Sequence, residues 1–82
     1  MKVVVYGTRN CPDTVAALAA YEKRGIIVDF RDIDSSVATL KAFLTLRDTK
    51  DVFASVRANH GVGVPCVIKE DGSLTLDWEE IL

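Results

Sequence analysis

The stretch Val3-Val4-Val5-Tyr6-Gly7-Thr8-Arg9-Asn10-Cys11-Pro12-Asp13-Thr14, continued by Val15-Ala16-Ala17-Leu18-Ala19-Ala20-Tyr21, decides how this chain folds. Its first four residues are a short apolar run of the kind that makes a buried β-strand, and its alanine-rich second half reads as a helix. The change of pattern falls at Cys11, which therefore sits at the N-cap or in the first helical turn. Pro12 supports this register, because proline favours the first helical position, where its missing N–H costs nothing.

A cysteine at such a junction has two readings. As a reactive thiol it gains from the unpaired amides and dipole of the helix, which favour the thiolate, the form that attacks disulfides. An ordinary thiol of pKa about 8.5 is only about 3% ionised at pH 7. The dipole contributes about 0.3–1 kcal/mol, up to roughly 2. Further help is expected from Arg9 as a nearby cation and from the Thr14 hydroxyl as a donor one turn along, while Asp13 opposes them. As an inert residue, Cys11 is a small apolar filler at a helix start.

The 82 residues suffice for one domain, with a modest core and no staples. A net charge of -2 from interspersed acids and bases offers no basic footprint for nucleic acid or an anionic membrane. No apolar run approaches the roughly 20 residues of a membrane span, and no signal-peptide pattern opens the chain, so the expected location is cytoplasmic. Two well-separated cysteines make no secreted disulfide framework, and with the single His60 they lack paired ligand spacing, so no metal site is expected.

Along the chain, a strand at about Lys2–Tyr6 precedes a helix at about Pro12–Arg24, stopped by Gly25. Ile26–Ile33 reads as a second strand, buried on both faces. Asp34-Ser35-Ser36 signals the start of a second helix, whose stripe is Val37, Leu40 and Leu44, with Phe43 and Leu46 on the flank, running to about Arg47. Asp48 and Thr49 are expected to cap a short third helix carrying Val52, Phe53 and Val56, ended by Gly61 or Gly63. Val64–Lys69 reads as a strand with Pro65 near its start, Asp71-Gly72 as a hairpin turn and Ser73–Asp77 as the return strand. Trp78–Leu82 is barely a helical turn. The order β-α-β-α-α-β-β predicts parallel pairing across helical crossovers and a closing hairpin, hence a mixed sheet with helices on its faces.

The run Tyr6–Thr14 around Cys11-Pro12-Asp13-Thr14, with Gly63-Val64-Pro65 far downstream, resembles the glutaredoxins of the thioredoxin superfamily over nearly the whole chain. The closest likeness is to a small glutaredoxin-related group with a Cys-Pro-Asp turn and a cysteine after the later proline. The resemblance implies an α/β thioredoxin-like (glutaredoxin) fold, a four-stranded mixed sheet flanked by helices, with the C-terminal helix truncated. It implies Cys11 as nucleophile, Pro65 as a cis-proline, the Val64 backbone as docking edge for glutathione, and Tyr6 and Pro12 beside the substrate. Thr14 stands where dithiol members carry a second cysteine, so no disulfide can close across the turn. Thr8 replaces a usual lysine, leaving Arg9 to meet a glutathione carboxylate. Asp77 and the backbone near Trp78 are the nearest substitutes for the usual γ-glutamyl-binding residues. Cys66 is either a distant resolving thiol for Cys11 or a buried residue on a core strand. Strand alternation places Val64, Cys66 and Ile68 on one face and Pro65 and Val67 on the other.

The implied activity is monothiol: Cys11 takes a glutathionyl group from a mixed disulfide and a second glutathione releases it. Glutathione is then co-substrate, no cofactor is bound, and the partners are glutathionylated or disulfide-containing proteins met by a monomer. The alternatives are a non-catalytic module binding glutathione or an extended peptide along Val64-Pro65, and an iron–sulfur cluster held between two subunits, disfavoured by Pro12 in the turn.

Overall fold

In the computed structural model, which describes residues 1–82, strand β1 (Lys2–Gly7) lies inside a four-stranded sheet of order β2-β1-β3-β4. β2 (Ile27–Asp32) runs parallel to it in the register Lys2↔Ile27 to Gly7↔Asp32. β3 (Cys66–Ile68) is antiparallel to β1, with Tyr6 opposite Cys66, and β4 (Leu74–Thr75) is antiparallel to β3. Helices α1 (Pro12–Lys23), α2 (Val37–Thr49) and α3 (Ala54–Ala58) make the crossovers, and a short 3-10 turn at Trp78–Ile81 closes the chain. The expected α/β architecture with a mixed sheet of four strands is therefore present.

β1 is central because its side chains are apolar in both directions. Val3 and Val5 face α1, where they form a core with Ala17, Tyr21 and Val67, covered by Leu18, Val28, Phe30 and Trp78. Tyr6 faces the opposite layer, a core of Phe43, Phe53 and Cys66 bordered by Val4, Ile33, Leu46 and Ile68. Each fully buried Val or Phe contributes about 1.5–3 kcal/mol against leaving it in water. The predicted alternation after Val64 holds: Val64, Cys66 and Ile68 pack in one layer and Val67 in the other.

Helix ends follow local chemistry. α1 stops where Gly25 takes φ +71, and the Gly25 and Ile26 amides donate back to the carbonyls of Glu22 and Tyr21. α3 ends the same way, except that His60 takes the left-handed position at φ 57, with its amide on Arg57 and that of Gly61 on Val56. Ser36 caps α2 by accepting from the Thr39 amide at 3.1 Å.

Four expectations need correction. β2 is not buried on both faces: it is an edge strand, Ile27 is 63% exposed, and Asp29 and Arg31 form an ion pair on the face away from α1. The core face of α2 is not Val37, Leu40 and Leu44, of which Val37 is 80% exposed. Phe43 is the buried residue instead, with its ring centroid 6.0 Å from both Tyr6 and Phe53, since a large ring has more surface to hide than the leucines beside it. Asp48 and Thr49 cap nothing, because α2 continues through them and the chain turns at Lys50 into a 3-10 segment, Asp51–Phe53, before α3. β3 and β4 are shorter than read, since Val64 and Pro65 precede the paired segment and the return strand holds only Leu74–Thr75.

Candidate active site

Cys11 is the N-cap of α1, in extended conformation with Pro12 at the first helical position, as its sequence context predicts. Its side chain caps no amide and is partly exposed. The thiol instead points across to the segment that leads from α3 into β3, where Sγ lies 3.8 Å from the Val64 carbonyl oxygen, which accepts from it. The Val64–Pro65 peptide bond is cis. Cys11, Pro12, Val64 and Pro65 are thus brought together at one end of the sheet, although 53 positions separate Cys11 from Val64.

Both walls of this end are pinned by groups that no spacing rule singles out. Asp34, read as part of a helix-start signal, accepts hydrogen bonds from the Thr8 hydroxyl and, at 3.2 Å, from Asn10 Nδ2, so it holds the loop that presents Cys11. On the other wall, Arg47 reaches from α2 to donate to the Gly61 carbonyl through Nε at 3.1 Å and Nη2 at 2.6 Å. Arg57 donates through Nη1 to the carbonyls of Arg47 and Lys50. A forked guanidinium suits a carbonyl that lacks a strand partner. Gly63, at φ +92, passes over Phe53 so closely that an added Cβ would lie 2.8 Å from the ring.

The helpers expected for Cys11 stand elsewhere. Arg9 does not approach the thiol: its guanidinium lies over the Phe30 ring, 5.0 Å from the centroid, because an apolar face on β2 is open to it. There it forms one end of a groove of about 460 Å³ between α1 and β2, lined also by Val15, Leu18, Glu22 and Val28 and not by Cys11. Thr14 donates nothing to the thiol. It is fully buried against Gly7, and its Oγ1 has no hydrogen-bond partner. The acids at the loop are Asp13 and Asp34.

Tyr6, expected beside the substrate, is a core ring packed on Phe43 and only 7% exposed. Asp77 caps the last turn through the Glu79 amide at 3.2 Å and acts on Tyr21 rather than on Cys11. The Tyr21 hydroxyl donates to the Trp78 carbonyl at 2.6 Å, and burial, with the Asp77 charge second, pushes its pKa up to about 12. Cys66 lies wholly inside the aromatic layer with Tyr6, Phe43 and Phe53. Burial raises its thiol to about 11, and both cysteines are free. Of its two readings, the packing matches that of a buried residue on a core strand.

No helix is long and apolar enough to cross a membrane. No family model matches the chain, and no solved structure matches it. Against curated proteins it aligns with an uncharacterized protein of Haemophilus influenzae at 30% identity over 80 residues, covering 98% of this chain and 93% of the relative. Likeness of that extent leaves no element of the fold outside the alignment, and the chain belongs to the same family as that Haemophilus influenzae protein.

Proposed function

We propose that this chain is a glutaredoxin-like thiol–disulfide oxidoreductase with a thioredoxin-like fold, acting by a monothiol mechanism through Cys11 on glutathione mixed disulfides. The observation that carries the reading is the placement of Cys11: a partly exposed thiol on the N-terminus of a twelve-residue helix, 3.8 Å from the Val64 carbonyl beside it. The helix amides favour negative charge on sulfur. Loss of the thiol proton also frees the Val64 carbonyl for the backbone amide of an extended ligand.

In this mechanism the Cys11 thiolate attacks the glutathione sulfur of a mixed disulfide. A new S–S bond joins Cys11 to glutathione, the old one breaks, and the departing protein thiolate takes up a proton. The thiolate of a second glutathione then attacks the bound glutathionyl sulfur, leaving oxidised glutathione and regenerating Cys11. Neither Thr14 nor Cys66 enters the cycle.

A second reading, a non-catalytic module that binds glutathione or an extended peptide at the same edge, is favoured by the position of Arg9 and the unpartnered hydroxyl of Thr14. Taking a thiol from pKa 8.5 to 7 requires about 2 kcal/mol, the upper end of what a helix dipole supplies unaided. Intact mass after treating the reduced protein with oxidised glutathione at neutral pH separates the two. The oxidoreductase reading expects one rapid glutathione adduct, abolished by Cys11→Ser and retained in Cys66→Ser. A folded protein that takes no adduct, or a Cys11→Ser variant that keeps full deglutathionylating activity, would refute it.

A further inference from the structure

We propose that two copies of this chain pair through the free edge of β2, antiparallel about a two-fold axis between their Phe30 residues, which joins the two sheets into one of eight strands. β2 is the longest unpaired edge in the molecule, six residues beside β1 with no neighbour on its other side. An edge of that length presents a row of free N–H and C=O groups.

The hydrogen bonds identify which groups are free. The amides of Ile27 and Ile33 donate to Met1 and Gly7, so residues 27, 29, 31 and 33 turn their backbone groups toward β1. The alternation of a strand then turns Val28, Phe30 and Asp32 outward. In the proposed register Phe30 exchanges two hydrogen bonds with Phe30 of the second copy, and the Asp32 amide meets the Val28 carbonyl.

The side chains choose this register. On the face away from α1 it sets Asp29 opposite Arg31 of the second copy and the exposed Ile27 opposite its Ile33. Asp29 and Arg31 already form a two-pronged pair within the strand, at 3.0 and 2.8 Å. The two-fold completes this as a square in which every carboxylate borders two guanidinium groups. Sliding one strand by two residues in either direction sets Asp29 against Asp29 or Arg31 against Arg31, and like charges directly opposite are destabilising. On the α1 face, the groove along β2 has Arg9 at its Phe30 end and Glu22 at its Ile26 end. The same two-fold brings the Phe30 rings, each with its Arg9 above it, to the centre of the pairing and leaves both Glu22 ends at its outer margins. Charges on an edge strand ordinarily repel a neighbour. Here the order of Asp29 and Arg31 along the strand is complementary to its own reverse.

Sedimentation equilibrium over a concentration series from about 10 μM to about 1 mM tests the pairing. Wild type is expected to rise from the chain mass toward twice that mass. Asp29→Arg and Arg31→Asp, at a half-exposed and an exposed position, are each expected to weaken association at least about tenfold while keeping the circular dichroism of the fold. An equimolar mixture of the two variants restores opposite charges at every facing pair, so its mass is expected to rise again. A wild type that stays at the chain mass throughout, a dimer indifferent to both substitutions, or a mixture that fails to associate would each overturn the proposal.

Discussion

Thr14→Val tests the unpartnered hydroxyl beside Cys11. The Thr14 side chain is fully buried, touches the backbone at Gly7, and carries an Oγ1 without a hydrogen-bond partner. A buried hydroxyl left unsatisfied costs about 1–3 kcal/mol, and the methyl that replaces it adds up to about 0.8 kcal/mol of transfer free energy. The shape hardly changes and the two residues have similar helix propensities, so the substitution should raise stability by about 1–3 kcal/mol. For a domain of this size each kcal/mol moves the melting temperature by about 4–8 °C. Thr14→Ser is the opposing control: it keeps the hydroxyl, deletes a buried methyl and should lose about 0.5–1.5 kcal/mol. Thermal and urea melts followed by circular dichroism give both signs. The rate at which Cys11 is alkylated should not change in Thr14→Val, since the hydroxyl does not hold the sulfur. A valine variant less stable than wild type, or one with altered Cys11 reactivity, would show that Oγ1 has a partner and refute the reasoning.

Gly7→Ala should cost about 1–3 kcal/mol in the same melts, because its Cβ would lie 2.6 Å from Thr14 Cγ2, which is enclosed and cannot swing away; an unchanged melt would refute this. Tyr21 predicts a loss of stability in alkali. Its phenol titrates near 12 in the folded chain and near 10 in the unfolded one, so between those values the folded state binds more protons and stability falls as pH rises, by on the order of 2–3 kcal/mol. Urea melts at stepped pH should show that fall in wild type and less of it in Tyr21→Phe. Cys66, enclosed by Tyr6, Phe43 and Phe53, should be alkylated only as fast as the chain unfolds while Cys11 reacts from the folded state; equal rates, read by mass, would contradict its burial.

The elements were legible wherever a local rule sufficed. The strand–cysteine–helix junction, the stop at Gly25, the Asp71-Gly72 turn and the alternation from Val64 to Ile68 each follow from a few adjacent residues. The nearness of Cys11 to Val64 follows from no local rule: the resemblance implies it, and the two lie 3.8 Å apart, sulfur to carbonyl oxygen. The expectations for α2 and β2 fail for one reason. The spacing of Val37, Leu40 and Leu44 predicts a stripe on α2, but which face packs depends on whether the facing layer has room for Phe43. The apolar start of β2 predicts burial on both faces, although its place at the sheet edge depends on strand order, which a single strand does not encode.

The sequence by itself determined the succession of strands and helices, the start of α2 after Ser36, the stop of α1 at Gly25 and the cysteine at the first helical boundary, because backbone preference, capping and hydrophobic period act over a few residues. Only the tertiary structure decided what each side chain meets. It sent Arg9 to Phe30, left Thr14 without a partner, recruited Asp34 and Arg47 to pin the two walls of the site, and left β2 open at the edge. Apart from Thr14, those outcomes turn on contacts across 14 or more residues, where a long side chain takes whichever partner the packing brings within reach.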